Sequence, residues 1–238
     1  MNMVKNHLKR INAPKTWKIE RKSSKWVMHP NPGAHTLPDC ISLSTIFKEV
    51  LHIADTSRQV RTILRSKEVQ VNGRRRIDPH DAVGIMDVLA IPELKEQFRM
   101  LVDRFGQLSL RKIPAGESGI QLCKITGKRT LSGGKVQFSL SGGRTMLGKG
   151  EYKVGDSLLL DVPAQSVKDH IPFDKGAAVF FTGGKHVGSV GTLTDFTSST
   201  VAFTPLGKKG EHYTTAKRYA FVVGKDKPLV SLGAEVAA

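Results

Sequence analysis

Cysteine is scarce in this 238-residue chain: Cys40 and Cys123 are the only two, and they stand far apart. With no signal-type start before them, a disulfide scaffold is excluded and reduced thiols in a cytoplasmic protein are expected. Long apolar runs are missing too, which removes a membrane-spanning helix. No strong basic amphipathic helix offers a membrane-surface alternative. Acid is also short, with 21 Asp and Glu against 37 Lys and Arg and a formal net charge of +16.

Catalytic constellations are lacking as well. His29, His35 and Cys40 match no common zinc spacing. Asp78, Asp81 and Asp87 suit turn capping or pairing with arginines better than acid–base work. Two nucleotide-site lookalikes fail on inspection. Lys22-Ser23-Ser24-Lys25 has no βαβ unit around it. The Gly143 to Lys149 run copies most of a phosphate loop, but Gly150 replaces the magnesium-holding Ser/Thr and no helix follows. The expectation is a protein without catalytic residues, cofactor, metal or small-molecule substrate.

What is present is positive charge, spread along the whole chain. Residues 1–42 hold eight Lys/Arg and two acids, 43–92 eight and six, 93–171 thirteen and eight, and 172–238 eight and five. Such a field favours a polyanionic partner. An all-round basic surface suits a protein embedded in RNA better than an enzyme with one basic cleft.

The organising stretch is Asp55 to Ile91. Asp55-Thr56-Ser57 offers side-chain oxygens to cap a helix that runs to about Ser66. At 3.6 residues per turn Val60, Ile63 and Leu64 share one face, and Arg58, Arg61 and Arg65 the opposite one. Val69 and Val71 alternate as a strand, and Asn72-Gly73 is a strong hairpin signal because both residues tolerate positive φ. Arg74, Arg75 and Arg76 leave that turn directly. The run Val83 to Ile91 reads as one buried return strand. Arginine forks on the helix and hairpin fit phosphate oxygens bidentately.

The first 42 residues mix bases with aromatics: Lys9 and Arg10, then Lys15, Trp17 and Lys18, then Trp26. Prolines break any regular element, so this segment is expected to order on a partner, with lysines on phosphates. The two tryptophans either stack on bases or pack under the next domain. Ser42 caps a second helix whose apolar face is Ile46, Phe47, Val50, Leu51 and Ala54. Beyond Pro92 short strands and glycine pairs predict a small antiparallel barrel over 93–171. A second β unit begins at Phe173. It carries the loop Thr182 to Gly188, where Lys185, His186 and Gly188 are candidate RNA contacts, and ends at Tyr219 to Gly224, with a tail from 225 to 238.

Ser57-Arg58-x-x-Arg61-x-Ile63-Leu64, Val69-x-Val71-Asn72-Gly73 and Asp78-Pro79 together resemble the RNA-binding module named after ribosomal protein S-four. The loop Thr182-Gly183-Gly184-Lys185-His186-Val187-Gly188 resembles the KOW motif. The order of pieces, from His7-Leu8-Lys9-Arg10 to Phe221-Val222-Val223-Gly224-Lys225, resembles the eukaryotic and archaeal S-four-e family from end to end. The short C-terminal tail points to the archaeal branch. That resemblance implies an α+β multidomain fold: a basic N-terminal extension (1–42), a helix-plus-sheet RNA-binding module (43–92), and two small SH3-like antiparallel barrels (93–171 and 172–224). It implies a structural constituent of the small ribosomal subunit, cytoplasmic, with small-subunit rRNA and neighbouring ribosomal proteins as partners. The module assigns Lys67 and Asn72 to the RNA-binding set beside the arginines. The alternative is an RNA-modifying enzyme, such as a pseudouridine synthase, carrying the same module; its Gly-Arg-Leu-Asp setting is absent at Leu160-Asp161.

Overall fold

The computed structural model describes residues 7–148, 152–206 and 211–232. It is an α+β chain in two compact units, Met1–Met100 with Gln107–Ser118, and Leu101–Gly106 with Gly119–Ala238.

In the first unit the N-terminal segment, from residue 7 on, forms short strands and packs side chains within the unit. Strands β1 (His7–Lys9) and β2 (Trp26–Met28) pair antiparallel. Trp17 is fully buried and its indole donates to Cys40 O at 2.7 Å. Thr16 O accepts Leu108 N at 2.7 Å. The segment's few apolar groups suffice because the surface they bury against is supplied by the rest of the unit.

Strand β3 (Cys40–Ser42) leads into a short helix α1 (Leu43–Thr45), which continues as a π-helix over Ile46–Val50. Ser42 caps it, its Oγ accepting Thr45 N. Helix α2 (Ser57–Ser66) opens with a capping box: Thr56 Oγ1 accepts Gln59 N at 3.3 Å, and Gln59 Oε1 accepts Thr56 N at 2.9 Å. Val60 and Leu64 are its buried positions, each contributing about 1.5–3 kcal/mol by burial.

Strands β4 (Gln70–Val71) and β5 (Arg74–Arg75) form the hairpin around Asn72-Gly73, both at positive φ. The run read as one return strand is two: β6 (Ala82–Gly84) pairs with β3, while β7 (Val88–Ile91) pairs with β4. Met86 at φ 68° turns the chain between them, and Asp87 Oδ2 accepts Gly84 N to close that turn. Strands β8 (Glu96–Val102) and β9 (Leu108–Lys112) complete a five-stranded sheet in the order β5-β4-β7-β8-β9.

The second unit holds two antiparallel five-stranded sheets. Strands β10 (Ile120–Thr130), β11 (Val136–Leu140), β12 (Thr145–Gly148), β13 (Ser157–Asp161) and β14 (Ser166–Ile171) are ordered β12-β11-β10-β13-β14. Every second residue of three of them, Cys123/Ile125, Phe138/Leu140 and Leu158/Leu160, meets in one core cluster, as period-two burial requires. The phosphate-loop lookalike enters β12 as strand, and its Lys149 to Glu151 portion lies outside the described residues. Strands β15 (Ala178–Phe181), β16 (Val190–Phe196), β17 (Thr200–Pro205), β18 (Tyr213–Ala216) and β19 (Ala220–Gly224) are ordered β18-β17-β16-β15-β19. Both β15 and β19 are buried throughout, so they read as continuous apolar runs.

Candidate nucleic-acid interface

Helix α2 and the β4–β5 hairpin are where the structure gathers unpaired positive charge. With Val60 and Leu64 turned inward, Arg58, Arg61 and Arg65 are all exposed. None of these side chains, nor that of Arg74, has an acidic partner among the described residues. Arg75 joins the hairpin to the helix, its Nη2 donating to Arg65 O at 3.1 Å. Arg76 approaches Asp81 at 3.8 Å, and Lys67 pairs with Glu93 at 3.0 Å. Burial raises the Asp81 carboxyl, with Arg76 opposing.

The hairpin stands on a buried hub. Asp87 Oδ1 accepts from Asn72 Nδ2 at 2.8 Å, and Asn72 Oδ1 accepts Val88 N at 2.9 Å. Asp87 Oδ2 meets His35 Nε2 at 2.9 Å. Burial works to lower the His35 pKa, but the hydrogen bond and charge of Asp87 outweigh it and the net shift is upward.

Four of the sequence-predicted contacts are already engaged within the protein. Asn72 shapes the turn, and its amide is spent within the protein. Arg10 is buried, its guanidinium held by Ser24 Oγ, Glu20 O and Glu49 Oε1 (2.7 Å); that salt bridge pulls the Glu49 carboxyl below its usual range. Trp17 is buried, so its ring faces protein rather than a base; Trp26 is the exposed tryptophan, with Lys25 Nζ 5.3 Å over its ring. Gly188 is buried against the backbone of Asp103 and Arg104, so its lack of a side chain serves internal packing.

Lys9, Lys15 and Lys18 remain exposed. Lys15 and Lys18 line an open groove of about 1010 Å³ with Lys48 and His52, and with the acids Glu20, Glu49 and Asp55, a grouping that sequence reasoning missed because Lys48 stands far from them in sequence. In the second unit Lys185 is exposed, while His186 is half covered, 4.6 Å from the Tyr213 ring. Partial burial and Lys185 lower the His186 pKa. His29 is bonded to Pro30 O and His35 to Asp87, and among the described residues no group of three metal-ligating side chains forms.

Comparison with known proteins decides what kind of chain carries this surface. The family described as "Ribosomal family S4e" matches residues 94–167, and the "RS4NT (NUC023) domain" matches residues 4–38. The small ribosomal subunit protein eS4 of Methanosphaera stadtmanae is 41% identical over 231 residues, covering 96% of each chain. The chain belongs to the S4e family of ribosomal proteins. The S4e relative from Archaeoglobus fulgidus is 40% identical, covering 97% of this chain and all of that protein. Among solved structures, the crystal structure of the 30S ribosomal protein S4e from Thermoplasma acidophilum matches with a TM-score of 0.68 at 28% identity, covering 79% of this chain and 96% of that one.

Proposed function

We propose that this S4e chain is a structural constituent of the small ribosomal subunit that grips small-subunit rRNA with α2 and the β4–β5 hairpin. The observation that carries the reading is the set of exposed arginine side chains, Arg58, Arg61, Arg65 and Arg74, held without acidic partners on a capped helix and a locked turn. Guanidinium groups left unpaired on a rigid frame bind phosphate with little ordering cost. Lys9, Lys15 and Lys18 extend the contact along the first unit, and Lys185 provides another in the second. The two five-stranded sheets of the second unit are read as SH3-like barrels, the later one the KOW domain. Neighbouring ribosomal proteins are the further partners, and the site of action is the cytoplasmic small subunit.

The enzyme alternative has no support in the geometry. Asp161, the residue a pseudouridine-synthase reading would need, is ion-paired with Lys168 at 2.8 Å on a strand end. The test is directed hydroxyl-radical probing from iron chelates tethered to Arg61→Cys and Arg74→Cys in assembled small subunits. Cys40 and Cys123 are buried, and burial first, then Asp39 and Asp87, push the Cys40 thiol up to about 11, so only the new thiols label. Both chelates are expected to cleave one contiguous stretch of small-subunit rRNA. Absence of rRNA cleavage from either position refutes the assignment.

A further inference from the structure

The turn Asp103–Gly106 holds an aromatic ring in water on a rigid mount. Gly106 N donates to Asp103 O at 3.0 Å and Phe105 N to Asp103 Oδ1 at 2.9 Å, so main chain and side chain both close it. The loop ending at Gly188 packs against it. A Cβ on Gly188 would lie 2.5 Å from Asp103 O and 2.6 Å from Arg104 N, and one on Gly106 would lie 3.8 Å from Val187 Cγ1. The turn and the Val187-Gly188 stretch are one packed body, and at Gly188 only glycine fits the seam.

From that body Phe105 projects with 80% of its surface exposed, the most exposed large hydrophobic side chain among the described residues. Its neighbour Arg104 is exposed, as is Lys185 on the adjoining loop, and neither pairs with an acid among the described residues. An exposed flat ring on a closed turn, next in sequence to Arg104 and on a packed body that also carries Lys185, matches an unpaired nucleotide: the base offers a π-face to Phe105, and its phosphates accept the cations. A protein partner covering the phenyl group would also have to neutralise or desolvate both charges.

We propose that Phe105 is a stacking platform for an unpaired RNA base, with Arg104 and Lys185 on the adjacent phosphates, a second contact separate from α2. It rests on the RNA-binding reading above.

The test measures affinity for a small-subunit rRNA transcript across a salt series with the full chain. Phe105→Ala and Phe105→Leu are expected to weaken binding about tenfold with an unchanged salt slope, while Phe105→Tyr keeps native affinity. Arg104→Ala with Lys185→Ala is expected to shrink the slope of log affinity against log salt by about 0.7–0.9 for each phosphate left without its cation. An unchanged melting temperature for Phe105→Ala confirms that the fold is intact. Native affinity of Phe105→Ala, with Arg58→Ala/Arg61→Ala weakened, overturns the platform and leaves the RNA reading standing. Native rRNA affinity combined with failure to enter assembled subunits assigns the ring to a protein neighbour and also overturns it. If the unaltered chain does not bind the transcript, both readings fall.

Discussion

The Asp87 carboxylate holds the Asn72 side-chain amide at 2.8 Å, and that hydrogen bond fixes the turn from which Arg74 and Arg75 project. The same carboxylate accepts from Gly84 N and His35. Asp87→Ala removes one charge and orphans the Asn72, Gly84 and His35 donors among others, so unfolding stability is expected to fall by about 3–5 kcal/mol in denaturant titration. Asn72→Ala is expected to cost about 1–3 kcal/mol from broken hydrogen bonds and a strained positive φ, whereas Asn72→Gly relieves the φ strain and costs less.

His35 makes that hub pH-sensitive. Its folded pKa is raised above the ordinary 6.5, so its stabilising contribution is complete below 6.5 and fades as pH rises through the folded value. The His35→Gln variant is expected to lack this decline when stability is followed from pH 5 to pH 9. Identical pH profiles for the two proteins would remove His35 from the account.

Lys124 gives the opposite sign. Its side chain is half-buried and its ammonium donates to the carbonyls of Arg218 and Ala220 at 3.0 and 2.7 Å. Burial, then Lys217, lower its pKa from 10.5 to about 8. Between those values the unfolded chain binds more protons, so this group's contribution to stability rises with pH across that window. The difference in stability between the native chain and Lys124→Met is expected to change between pH 8 and 10.5 and to level off below 8.

Gly188→Ala probes the packed seam beneath Phe105. The added methyl group meets the Asp103 backbone, and φ 75° strains any L side chain. A loss of roughly 1–3 kcal/mol is expected, read as an earlier thermal transition. A variant as stable as the native chain would show that the seam is looser than described.

Much of the arginine surface was legible in the sequence, because its determinants are local. Helical period put Val60 and Leu64 opposite Arg58, Arg61 and Arg65, and Asn72-Gly73 declared the hairpin. What escaped was set by tertiary packing. The fate of Arg10 depends on Glu49, and that of Trp17 on a space closed by Cys40. The break at Met86 has no signal, since nothing local demands positive φ of a methionine; the Asp87 hydrogen bonds impose it. Gly188 looked like room for RNA and proved to be room for Asp103, a distinction that spacing cannot make.

Phosphate binding by the α2 arginines is read out in the salt dependence of rRNA affinity. Arg58→Ala with Arg61→Ala is expected to leave unfolding stability within about 0.5 kcal/mol of native, because both side chains are exposed. The double variant should weaken binding and reduce the slope of log affinity against log salt by about 0.7–0.9 for each phosphate no longer neutralised. Replacement of both by lysine should restore only part of the affinity, the bidentate fork being gone. Val60→Ala, on the buried face, should lower stability by roughly 0.5–3 kcal/mol with the slope unchanged. Unaltered affinity and slope in the double alanine variant would contradict the account and leave the arginine stripe a solvated surface.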